Sequence, residues 1–241
     1  MKIIQGNEFI KCTRPALECT IAGNGISDQE LSNRPYLVFG DMKIIFEIVF
    51  QQDAGHGEET GKECRIAITN DGAGTRALDP MEGFEHAIKS TEKERPPHLV
   101  SLTQAITYNK KKMKELSYEE DRYHIAFLSN KAFSNGAVSI FYKEAKDLLS
   151  RYFPDGCFVL PSSIHEVMLL SKPHYLYRLD EVKSLPRMFG STNRFSQDEI
   201  LTGKVMEYHP QDGALSYAGE EKRIMMRRPP NWNRVLTQDP R

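Results

Sequence analysis

Cys157-Phe158-Val159-Leu160-Pro161-Ser162-Ser163-Ile164-His165-Glu166-Val167-Met168-Leu169-Leu170 is two apolar runs interrupted by a proline and two serines. The pattern predicts two short strands, Cys157 to Leu160 and Ile164 to Leu170, with Pro161-Ser162-Ser163 turning the chain between them. Strands joined by so short a turn are antiparallel neighbours, since a parallel pair needs a long crossover.

The same logic extends in both directions. Upstream, Lys143 to Phe153 carries Ala145, Leu148, Leu149 and Tyr152 at helical spacing and stops at Pro154-Asp155-Gly156. Tyr123 to Leu128 reads as a strand, and Asn135-Gly136 as a turn into a further strand, Ala137 to Phe141. Downstream, Ser196-Gln197-Asp198-Glu199 caps a short helix. Val205 to Tyr208 and Ala214 to Ala218 flank Pro210-Gln211-Asp212-Gly213 as a closing hairpin.

In the first half, Met42 to Phe50 alternates as a strand, with Ile44, Phe46, Ile48 and Phe50 on one face. Cys64 to Thr69 is its partner, across a glycine- and acid-rich loop from Gln51 to Lys62. Asp79-Pro80 starts a helix that ends near Arg95, before Pro96-Pro97, and Leu99 to Tyr108 is a further strand. Ser27-Asp28-Gln29-Glu30 is a capping box for a helix of two turns at most, stopped by Pro35. The remainder of residues 1–40 reads as irregular.

The expected fold is therefore α+β, with antiparallel strand pairs and helices packed on one face. Four regions are expected: an irregular segment 1–40, a strand–helix unit 41–115, a second unit 116–219, and a basic tail 220–241. The charged stretch Lys110 to Glu120 marks where the two units meet. Ile66-Ala67-Ile68-Thr69-Asn70 echoes Ile125-Ala126-Phe127-Leu128-Ser129-Asn130. Two related halves explain the echo, and so does chance similarity between strands.

Composition narrows the function classes. The net charge of −1 gives no overall field toward nucleic acid or an anionic membrane, so only local patches could act there. The start of the chain turns polar at once, and the most apolar run contains Lys43 and Glu47, so neither a secretory signal nor a membrane span is expected. Cys12, Cys19, Cys64 and Cys157 are scattered, which suits reduced thiols in the cytoplasm.

Leu128-Ser129-Asn130, Asn135-Gly136-Ala137 and above all Leu160-Pro161-Ser162-Ser163-Ile164-His165-Glu166-Val167 resemble an uncharacterised family of bacterial proteins. That family is a domain of unknown function common in gut Firmicutes and their mobile elements. Asp41 with the strand after it, Ile68-Thr69-Asn70, and Phe195 to Tyr208 extend the likeness over about residues 35 to 218. The resemblance implies a fold and a context, and brings no activity, cofactor or catalytic residue.

Four constellations carry candidate chemistry. Ser163, His165 and Glu166, beside Ser162, suggest a nucleophile and base. On a strand, however, Ser163 and His165 share a face and Glu166 points away, so the acid must come from elsewhere. Local backbone bonds from the serines are the structural alternative. Asp41, Glu47 and Glu63 could form a nuclease-type acidic hairpin holding a divalent metal, although Arg65 stands where a proton-shuttling lysine is expected. Gly72-Ala73-Gly74-Thr75-Arg76-Ala77 fits a nucleotide-binding spacing, but Leu78-Asp79-Pro80 separates it from the helix that should receive the phosphates. No cofactor and no metal site is expected. In the tail, Arg227, Arg228, Trp232 and Arg234 are the candidate binding residues, as an arm toward a protein partner or as cations and a stacking ring for nucleic acid. The reading favours a non-catalytic binding or adaptor protein, with a metal-dependent nuclease or hydrolase and a nucleic-acid binder as alternatives.

Overall fold

The structure is a computed structural model that describes residues 2–5, 8–11, 15–23, 25–51, 63–70, 79–102, 125–172, 178–190 and 196–230. The 54–61 loop, the Gly72–Ala77 glycines, the 110–120 boundary, Cys12, Trp232 and Arg234 lie outside them.

Two antiparallel sheets share one core. The larger has six strands in the order β12-β11-β9-β10-β8-β7: β7 Pro97–Ser101, β8 Ile125–Asn130, β9 Cys157–Pro161, β10 Val167–Ser171, β11 Met206–His209 and β12 Ala214–Tyr217. The β9–β10 pair is the expected hairpin, in the register Val167 with Pro161 and Leu169 with Val159. The smaller sheet is built on β5 (Met42–Gln51). Along one edge β5 pairs with β3 (Ala16–Ile21), and along the other with β4 (Tyr36–Phe39) and β6 (Glu63–Ala67) end to end. β13 (Met226–Arg227) closes that sheet against β4. A separate pair, β1 (Lys2–Gln5) and β2 (Glu8–Lys11), precedes them.

Alternation explains the layering. Cys19, Ile21, Leu37, Ile44 and Phe46 of the small sheet meet Leu128, Val159, Val167, Leu169 and Met206 of the large one. The helices α2 (Pro80–Glu94) and α3 (Lys143–Tyr152) seal that core with Ala87, Ala145 and Leu149. The second face of the large sheet is also apolar, through Phe127, Phe158, Leu160, Met168 and Leu170, and Val182 of α4 (Leu179–Gly190) covers it. β9 and β10 are thus buried on both faces, which is why their sequence runs apolar without alternation. The architecture is the expected α+β arrangement of antiparallel sheets with helices packed against them.

Three local expectations are corrected. Residues 1–40 are not irregular: they hold β1 to β4 and the capped helix α1 (Asp28–Ser32). β3 is hidden from pattern reading because its polar residues Glu18 and Thr20 are buried along with Cys19 and Ile21. Ala137 to Phe141 is not a strand but a 3-10 helix, Gly136–Phe141, entered through Asn135 at φ 51°. Its first amides donate to His165 and Ile164 carbonyls, which fixes a turn where a strand would need a partner along its length. The strand expected from Ile164 starts only at Val167. Among the described residues no helix is long and apolar enough to cross a membrane.

Candidate functional site

The three sequence stretches that carry the resemblance converge on one loop. Ser129 Oγ donates to the His165 carbonyl at 2.7 Å, and Gly136 N donates to the same oxygen at 3.1 Å. Ala137 N reaches the Ile164 carbonyl at 3.1 Å, and Ile164 N donates to the Glu199 carbonyl at 2.9 Å. Gly136 has no room for a side chain: a Cβ would lie 2.2 Å from Ser129 Oγ and 2.7 Å from the His165 oxygen.

His165 sits at the centre with both ring nitrogens engaged. Asn135 N–H donates to Nδ1 at 3.1 Å, so in the neutral ring Nε2 carries the proton and donates to Glu199 Oε1 at 3.0 Å. The bonds from His165 and from Ser196 hold the Glu199 carboxyl down at about 2. Ser163, fully buried, accepts from the His165 backbone N–H at 3.1 Å. Ser162 Oγ donates to the carbonyl of Glu166, a buried residue. Residues 162–166 lie between β9 and β10, so Ser163 and His165 do not share a strand face, and His165 joins Asn135 and Glu199 in a three-way clamp. Asn135 and Glu199 were missed as its partners. Glu199 was visible only as a helix cap, a role it also fills through Oε2 and Ser196 N at 2.9 Å.

The acidic hairpin is split. Asp41 precedes β5 and Glu63 pairs with Gln51 at its far end, so the two lie about 30 Å apart at ~3.3 Å per residue. Asp41 accepts from Thr202 Oγ1 at 2.6 Å and lies 3.7 Å from Lys204 Nζ. Glu63 instead joins Glu47 and the unforeseen Glu18, directly opposite Glu47 across β3 and β5. Like charges so placed repel. Arg65 offsets this by reaching Glu47 at 2.8 Å, Glu63 at 2.8 Å and Glu18 at 3.4 Å. Arg95, the C-cap of α2, reaches Glu18 at 2.8 Å and also pairs with Glu63, while Arg34 lies 3.5 Å from Glu47. Burial raises the Glu63 carboxyl, but Arg95 and Arg65 outweigh it and hold it below its ordinary value. Guanidinium cannot relay a proton, so this arrangement ties carboxylates down rather than readying them for chemistry. Among the described residues no three His, Cys, Asp or Glu side chains are placed to hold a metal.

The start of the basic tail is a strap between the sheets. Arg223 pairs with Ser216 at the β12 edge, and Ile224 N donates to the Leu215 carbonyl at 2.7 Å. Met226 and Arg227 then pair with Phe39 and Val38 of β4. Arg223 Nε holds Asp212 at 2.9 Å, and Arg228 holds both oxygens of Asp79, the α2 N-cap, at 2.9 and 2.7 Å. Arg228 is therefore exposed but paired within the fold; Lys222 and Arg227 are exposed too, and Met225 is 73% exposed. The register places Arg227 beside Val38 and Val38 beside Lys43 on one sheet face.

No curated protein and no solved structure matches this chain. A model of a family of unknown function, DUF5688, matches residues 13–210, a span that includes the whole clamp and ends before the strap. The chain belongs to that family of unknown function.

Proposed function

We propose that the chain is a non-catalytic binding or adaptor protein of a bacterium or its mobile element, acting in the cytoplasm and engaging a protein partner through the strap. One observation carries this reading: the strap spends Arg223 and Arg228 on the chain's own acids while Met225 and Arg227 face outward. An exposed apolar side chain beside cations suits a partner segment that brings carboxylates and an apolar anchor. Trp232 and Arg234 follow within a few residues and extend the same chemistry. Cys19, Cys64 and Cys157, which are not joined in disulfides, agree with a reducing compartment. The hydrolase alternative is weakened because His165 has no ring nitrogen left for Ser163.

The test is capture of a partner by the full chain, its identification, and rebinding of that purified partner. Met225→Glu with Arg227→Glu should abolish rebinding, and nuclease treatment should leave it intact. Rebinding that survives the double substitution contradicts the proposal. Loss on nuclease treatment, with affinity falling steeply in salt, would replace it by nucleic-acid binding. Turnover of ester, phosphoester or nucleic-acid substrates that vanishes in His165→Ala or Glu63→Gln would replace it by an enzyme.

A further inference from the structure

The strap docks on β12 of the large sheet at Leu215 and at Ser216, a fully buried residue whose hydroxyl bonds to His209 Nε2 at 2.9 Å. We propose that the His209–Ser216 bond beneath Arg223 is a pH-sensitive latch, which holds the strap while His209 is neutral and loosens when the ring takes up a proton. This regulation gains its meaning from the strap reading above, but the latch itself stands on separate geometry.

Protonation changes two things. A neutral His209 can accept the Ser216 proton at Nε2, whereas an imidazolium can only donate there. The buried Ser216 hydroxyl then needs another acceptor, and among the described residues it bonds to His209 alone. The new charge also meets Arg223 from the strap and Lys172 from the end of β10, which repel it. Glu207 on β11 and Asp212 in the β11–β12 turn attract it. Their attraction is partly spent, because Glu207 pairs with Lys172 and Asp212 with Arg223. Burial first, then Arg223, holds the His209 ring below its ordinary value.

The sign follows directly. A histidine depressed in the closed form binds its proton more readily in the open form, so closing is fully favoured above about 6.5 and weakens as pH falls below it. The dependence is bounded at about tenfold per pH unit for one proton.

Hydrogen exchange on the full chain alone, between pH 7.5 and pH 5, reads this out. Protection factors, which remove the intrinsic pH dependence of exchange, should fall at Ile224 while those of β10 stay level. In His209→Gln, which cannot titrate, the Ile224 protection should be flat. A flat wild-type profile, an unchanged slope in His209→Gln, or a parallel fall at Ile224 and β10 would each overturn the latch. Since no partner is present, these results stand whichever way the Met225 and Arg227 binding test comes out.

Discussion

The Pro161–Val167 loop and the 222–228 strap are both short segments that hold separate elements together, yet they spend their polar groups in opposite ways. Around the loop, both ring nitrogens of His165, the Ser163 hydroxyl and the first amides of the 3-10 helix close on one another. The strap is spent only in part: Arg223, Ile224 and Arg228 bond to the chain's own groups, and Met226 and Arg227 pair with β4, while Met225 and Arg227 remain exposed. The loop lies inside the span matched by the family model and the strap outside it. A distinctive string can thus mark a junction that must fit together, while the surface proposed for a partner lies in plainer sequence.

The largest effect is expected from crowding the clamp. Gly136→Ala sets a Cβ against the Asn130 amide at 2.6 Å and the His165 carbonyl at 2.7 Å, atoms that cannot swing aside. A loss of about 3 kcal/mol is expected by chemical denaturation. Gly203→Ala, where nothing lies within 4 Å, should change stability by less than ~0.5 kcal/mol. If the two glycines behave alike, the junction is not tight.

Next in size is the ionic face of the small sheet. Arg95→Met leaves Glu18, whose side chain is 4% exposed, with only the longer contact to Arg65. A loss of about 2–3 kcal/mol is expected, because a buried carboxylate loses its better partner. A neutral result would mean that water reaches Glu18 freely.

Much of this was legible from local rules. The β9–β10 hairpin, the α2 start at Asp79-Pro80 and the two serine capping boxes all follow from turn and cap chemistry, which acts over a few residues. The clamp was not legible, because Asn135, His165 and Glu199 meet only through tertiary contacts. Nor was β3, since burying Glu18 and Thr20 erases the alternation that would reveal it. The register of β6 on β5 decided the acidic hairpin, and register is set by partners that sequence spacing does not name.

A smaller effect separates the roles of Glu199. Its carboxyl is held at about 2 in the fold and its ordinary value is 4.5, so its stabilising contribution is present above 4.5 and is lost as pH falls toward 2. Glu199→Gln should flatten the fall in denaturation midpoint across that window. An unchanged slope would show that the His165 bond does not form in solution.

Under the proposed function, the clamp keeps the fold and the strap meets the partner. The direct measurement is rebinding of the purified partner, by calorimetry, to His165→Ala and to Arg227→Glu. His165→Ala should lose about 2 kcal/mol of stability by removing the partner of the Asn135 amide and of Glu199 Oε1, yet bind with wild-type affinity wherever it is folded. Arg227→Glu should keep its stability and lose at least tenfold in affinity. Lost binding in a folded His165→Ala, with affinity unchanged in Arg227→Glu, would show that the clamp and not the strap meets the partner.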